Sequence, residues 1–230
     1  MIHYHGTPIT PRTALASMAG RHFCVSFAHP GDLQWCLQHG ASVMLDNGAF
    51  SAWTRGAATD WRAFYAWAEV ARHPHWLVIP DVIDGSAEDN DALLRDCPAP
   101  REYAAPVWHM HESLDRLRRL ASEWPRVCIG SSGEYRAPGS AAWGARIDAA
   151  WDEIERSGAR PWVHMLRAMR EASHGHWPFC VGRQHEHSAQ PRRGSGPRRP
   201  IARSHGVADR RQKPALPRQA LPSTLFVVTT

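Results

Sequence analysis

The chain predicts an α/β fold, a TIM-type (β/α) barrel incomplete at its C-terminus. Two observations carry that expectation. Short apolar runs bounded by turn residues alternate with amphipathic stretches through residues 1–179, the pattern of buried parallel strands joined by crossover helices. Carboxylates also stand at or just past the ends of three different runs: Asp46 after 42–45, Asp81 after 76–80 and Glu134 after 126–130. An open doubly wound sheet gathers its site at one switch point, whereas a closed parallel sheet brings every C-terminal strand end to one face. The three acids are therefore expected to share a pocket.

The elements follow in order. Residues 1–21 are polar, with Gly6, Pro8 and Pro11, and offer one short strand and a loop. A strand is expected over 22–27, then a helix over 30–38 with Pro30 near its start and Gly40 past its end. The run 43–45 is a strand, and Asp60 caps a helix whose Trp61, Phe64, Tyr65, Trp67 and Ala68 suit one buried face. Next come a strand over 76–80, a helix over 86–95 opened by Ser86, and a strand over 105–110. Ser113 opens a helix with Leu114, Leu117, Leu120 and Ala121 on one stripe. A strand over 127–130, a long helix over 140–157 closed by Gly158, and a strand over 161–166 complete six strand-then-helix units.

At 230 residues the chain can bury a sizeable core in one domain. No apolar run approaches the roughly 20 residues of a bilayer span, and no basic segment leads into an apolar one at the N-terminus. Five scattered cysteines form no C-x-x-C pair, so neither a disulfide frame nor a structural zinc is expected. A reduced, cytoplasmic protein with no membrane association, metal or cofactor is the expectation.

The formal charge of +5 is unevenly spread: ten basic and two acidic residues follow residue 172, against 17 and 20 before it. The basicity belongs to a tail, expected over 180–230, that is rich in Arg, Pro, Gln, Ser and His and poor in spaced apolar residues. Such a segment cannot bury enough apolar surface to order itself. Its Arg content also admits a nucleic-acid-binding role. A different origin is legible in the genetic code. Reading the codons of 180–190 one nucleotide later permits Ala-Ser-Val-Asp-Ser-Thr-Asn-Ile-Ala-Arg-Asn, a strand-like run ending in an acid, so a frameshift near 179–180 is expected.

Several residues could carry chemistry. Asp46 lies in Leu45-Asp46-Asn47-Gly48-Ala49-Phe50, where small residues let the backbone approach a flat ligand and Phe50 could cover it; an Asp capping a turn or helix is the structural alternative. Asp81 follows Ile79-Pro80, and an acid buried there needs a partner, which a purine edge or a structural turn could supply. Gly130-Ser131-Ser132-Gly133-Glu134 offers N–H groups and hydroxyls around a carboxylate, or a plain glycine turn. His109 and His111 share a strand face; lacking a second matched pair, they read as substrate-binding rather than metal-ligating.

In order and approximate spacing, Asp46-Asn47-Gly48-Ala49-Phe50, Pro80-Asp81, Gly130-Ser131-Ser132-Gly133-Glu134 and His164-Met165-Leu166 resemble motifs of the tRNA-guanine transglycosylase family, most of all its DpdA-like phage and bacterial relatives. The resemblance covers residues 1–179. It implies a TIM barrel that exchanges guanine in DNA for a 7-deazaguanine base through a glycosyl-enzyme intermediate, in the cytoplasm and beside helper proteins of a DNA-modification system. Carried over, Asp46 is the general base or orients the leaving base, Asn47 and Gly48 bind the substrate beside it, and Phe50 stacks on the purine. Asp81 reads the base edge, His109, Ser132, Gly133 and Glu134 touch the base, and Met165 lines the pocket.

Two departures stand out. The cysteine cluster that binds zinc in the tRNA enzymes has no counterpart here, and the nucleophilic aspartate expected just after Trp177-Pro178-Phe179 is replaced by Cys180-Val181-Gly182-Arg183. The chain as written is therefore expected to keep the base pocket and to be impaired in exchange. A carboxylate-pair nucleosidase or glycoside hydrolase on the same barrel, and a non-enzymatic nucleic-acid binder using the tail, are the rival readings.

Overall fold

The computed structural model describes residues 2–168, Trp177 and the backbone of 180–182. It is a mixed α/β structure built on one parallel sheet of nine strands: β1 (His3–Gly6), β2 (His22–Ser26), β3 (Ser42–Asp46), β4 (Trp76–Val78), β5 (Ala104–Ala105), β6 (Val107–His109), β7 (Arg126–Gly130), β8 (Trp162–Leu166) and β9 (Cys180–Gly182). Between them run α1 (Arg12–Ala16), α2 (Leu33–His39), α3 (Ala49–Arg55), α4 (Trp61–Trp67), α5 (Ala87–Arg95), α6 (Leu114–Glu123) and α7 (Ala141–Ser157). Each of the six expected runs contains a strand.

The sheet order is β5-β4-β3-β2-β1-β9-β8-β7-β6, and every pairing is parallel. Its two ends are consecutive pieces of one segment. β5 and β6 are separated only by Pro106, which has no N–H to give to a ladder. On one side, Ile79 N–H donates to the Ala105 carbonyl at 2.9 Å; on the other, Cys128 N–H donates to the Pro106 carbonyl at 2.8 Å. The segment thus serves β4 with its first half and β7 with its second.

Side chains alternate between two layers, as strand geometry requires. Phe23, Val25, Val43, Leu45, Leu77, Trp108, Val127, Ile129, Val163 and Met165 pack with Phe64, Leu117, Leu120, Trp143, Ile147 and Ile154 of the helices. The other face gathers Tyr4, Cys24, Met44, Trp76, Val78, Ala105, Val107 and Cys128 into a second core. There the Tyr4 hydroxyl accepts hydrogen bonds from Trp76 Nε1 (3.0 Å) and Ser42 Oγ (3.1 Å), while the Trp76 and Trp162 rings meet at 5.3 Å. Residues of β1, β4 and β8 can meet only if the sheet curves strongly onto this face.

The caps read from sequence form as hydrogen bonds. Asp60 accepts from Ala63 N–H and Ser113 from Arg116 N–H, and Ser86 and Asp89 make a capping box; Ser140, read only as the start of a helix, also caps it by accepting from Trp143 N–H. Gly158 closes α7 with φ 74°. Several elements differ from expectation: α1 lies where a loop was read, and α3 was not among the expected helices. The strand expected over 105–110 is divided at Pro106, and Cys180–Gly182, read as the start of the tail, form a strand between β1 and β8. The remainder of the tail lies outside the described residues. Among those described, no helix is long and apolar enough to cross a membrane.

Candidate binding pocket at the C-terminal strand ends

Asp46 is the last residue of β3, and the chain turns directly from it into α3. The turn depends on two residues. Asn47 Oδ1 accepts from Ala49 N–H at 2.7 Å, and Gly48 adopts φ 77°, where an added Cβ would stand 3.2 Å from Ala28 N. Only glycine takes up that conformation without strain. The same Asn47 spans to β4, its Nδ2 donating to the Ile79 carbonyl (2.8 Å) and to Asp81 Oδ1 (2.7 Å).

Asp81 therefore has one oxygen fixed by Asn47. Its other oxygen lies 3.0 Å from His109 Nε2, within ion-pair distance although off the direction of a ring N–H donation. Asp46, Asp81 and His109 are 7%, 7% and 2% exposed. Charged groups so deeply buried persist only with partners, and the pocket places carboxylates, imidazole and carboxamide together. Asp46, Asn47, Phe50, Val78, Asp81, Ile83, His109, Gly130, Ser131, Leu166 and Arg167 line it. About 30 Å³ of open space remains, room for a water or two rather than the about 300 Å³ and more of typical ligand sites.

A second tier of buried polar groups holds His109 and the loop after Asp81. Glu112 accepts from His109 N–H (2.9 Å), Asn90 Nδ2 (3.2 Å) and Arg116 (2.6 Å), and Arg116 also pairs with Asp91 at 3.0 Å. Asn90 in turn accepts from Val82 N–H at 2.8 Å, one residue past Asp81. The network is fully interlocked, so it fixes geometry where a half-satisfied one would weaken it.

The expected site residues separate. Asp46, Asn47, Phe50, Asp81 and His109 line the pocket; Gly48 shapes its turn. Ser132 is buried beside it, with Oγ 2.8 Å from His111 Nδ1, and Gly133 takes φ 56° where a Cβ would approach the His111 Cβ to 2.9 Å. Glu134 is exposed and hydrogen-bonds Tyr135, outside the pocket lining. Met165 packs in the layer between sheet and helices, while its neighbour Leu166 lines the pocket. His109 and His111 stack at 5.8 Å. Among the described residues no group of three or more His, Cys, Asp and Glu side chains is arranged to hold a metal ion.

No known family model, curated protein or solved structure matches the chain.

The pocket's chemistry must accordingly be read from its own groups. The member that sequence reading missed is Arg167, the residue after β8. Its guanidinium Cζ lies 3.9 Å from the Phe50 ring centroid. Burial lowers its pKa, and the nearby Asp46 and Asp81 oppose that shift. A signal was available, because Arg167 occupies the same strand-end position that drew notice to the acids. Beneath the pocket, Cys24 and Cys128 are fully buried, which pushes both thiols well above their usual pKa and leaves them unreactive.

Proposed function

We propose that the nine described strands form a closed (β/α) barrel whose C-terminal mouth binds a guanine-type base, and that the chain derives from a transglycosylase exchanging guanine in DNA for a 7-deazaguanine. Closure is supported by the shared segment 104–109, whose halves pair with β4 and β7, and by the meeting of Tyr4, Trp76 and Trp162 on the concave face. The base site rests on one observation above the others: Asp46, Asn47, Asp81, His109 and Phe50 converge on a single buried pocket.

Each group has a task that its chemistry suits. Phe50 offers a ring for stacking. Asp81, already oriented by Asn47 and His109, accepts from the N1–H and 2-amino groups that distinguish guanine from adenine. Asp46 is placed to take or return a proton. In the intact reaction a carboxylate attacks the sugar C1′ as the C1′–N9 bond breaks and the base departs with the electron pair, gaining a proton. The incoming deazapurine then gives up its N9 proton and displaces the carboxylate.

The resemblance puts the nucleophile at the position of Arg183, directly after β9, so the chain as written binds base without exchanging it. Release of labelled guanine from DNA in the presence of 7-deazaguanine tests this. The full chain is expected to release none above an Asp46→Ala control, and Arg183→Asp to gain exchange. Robust exchange by the unaltered chain refutes the missing nucleophile; release with water alone points to a hydrolase.

A further inference from the structure

We propose that Arg167 is an internal stand-in for the ligand: its guanidinium holds the stacking place on Phe50 beside Asp46 and Asp81, and the pocket opens to a planar, donor-rich ligand only when that side chain leaves. Three observations support this independently of what the natural ligand is. The guanidinium lies over the Phe50 ring at stacking distance. With Arg167 in place only about 30 Å³ of the pocket stays open. Arg167 is also the one non-glycine residue among those described with a positive φ, at 60°. Arginine has no local preference for that conformation, so the side chain's contacts in the pocket, rather than the backbone, account for its position.

The chemistry of the plug describes the ligand it displaces. A guanidinium is flat and carries N–H donors along its edge with no acceptor. The same amidine-like edge, N–C–N with its hydrogens, recurs in guanine at N1 and the 2-amino group. A pocket with a stacking ring and two carboxylates accepts either, and it discriminates against flat ligands that present acceptors instead. Identifying the ligand as guanine rests on the base-exchange reading; the occlusion by Arg167 does not.

The test uses the full chain and Arg167→Gly, since glycine adopts φ 60° without strain and should leave the fold intact. Binding of methylguanidinium and of guanine is measured by calorimetry, with the thermal midpoint of each unliganded chain recorded alongside. Methylguanidinium should bind Arg167→Gly at least about tenfold more tightly than the unaltered chain, as expected for a site open less than about a tenth of the time. Adding Asp81→Asn should remove that gain.

Equal affinity in the two chains, or a gain indifferent to Asp81→Asn, overturns the inference. So does unfolding of Arg167→Gly, which would make Arg167 a fixed structural ion-pair partner. Uptake of methylguanidinium without guanine supports the plug and sinks the base-exchange reading, so the two fail separately.

Discussion

Asn47 makes three hydrogen bonds from one buried side chain, to Ala49 N–H, the Ile79 carbonyl and Asp81. Asn47→Ala should therefore cost about 2–3 kcal/mol in urea unfolding, because it leaves buried partners unsatisfied. His164 supplies a second prediction. It is fully buried, with no hydrogen-bond partner on either ring nitrogen, and burial lowers its pKa from 6.5 to about 3. The unfolded chain binds this proton below pH 6.5 while the folded chain does not, so stability present at neutral pH is lost as the pH falls from 6.5 towards 3. The slope is about 1.4 kcal/mol per pH unit, or about 2 kcal/mol at pH 5 relative to pH 7. His164→Leu should flatten that part of the acid limb in urea melts; an unchanged limb would mean that other groups dominate it. At this scale the sequence revealed which residue types stand at strand ends but not which way they face. Met165 and Leu166 are both apolar, and a shift of one residue exchanges pocket for core.

At the scale of elements, polar signals were the most legible. Asp60, Ser86 and Ser113 announced three helix starts because a capping side chain must lie beside the N–H it serves. Helix α3 was not among the expected helices: Gly48 and Ala49 read as small residues of a turn, whereas Gly48 is the left-handed residue that lets α3 begin three residues after Asp46. Gly48→Ala should destabilise the protein by about 1–2 kcal/mol and misplace Phe50, measurable as a lowered thermal midpoint together with weakened guanine binding. The buried network of Asn90, Glu112 and Arg116 was hidden for another reason. Its members lie on α5, on α6 and in the loop before α6, and sequence spacing carries no trace of their meeting.

Across the molecule, the alternation of runs revealed the parallel α/β class, but the division at Pro106 and the strand at 180–182 were not legible in it. β9 lies between β1 and β8 and covers an edge of each. A chain ended at residue 179 should melt at least about 5 °C lower or aggregate through those edges, while one ended at residue 189 should behave like the full chain. Calorimetry and light scattering distinguish these outcomes, and equal behaviour of the two would show that β9 contributes little. The gathering of distant residues was legible for Asp46 and Asp81, whose strand ends adjoin in the sheet; Glu134, four residues beyond the end of β7, is carried out to solvent. The most direct measurement of the central claim is equilibrium dialysis of labelled guanine and adenine against the full chain and its Asp81→Asn variant. Even with Arg167 competing, the full chain should retain guanine in preference to adenine, and Asp81→Asn should weaken guanine retention about tenfold, the loss of one charged hydrogen-bonded contact. Equal retention of the two bases, or guanine binding indifferent to Asp81→Asn, would contradict it.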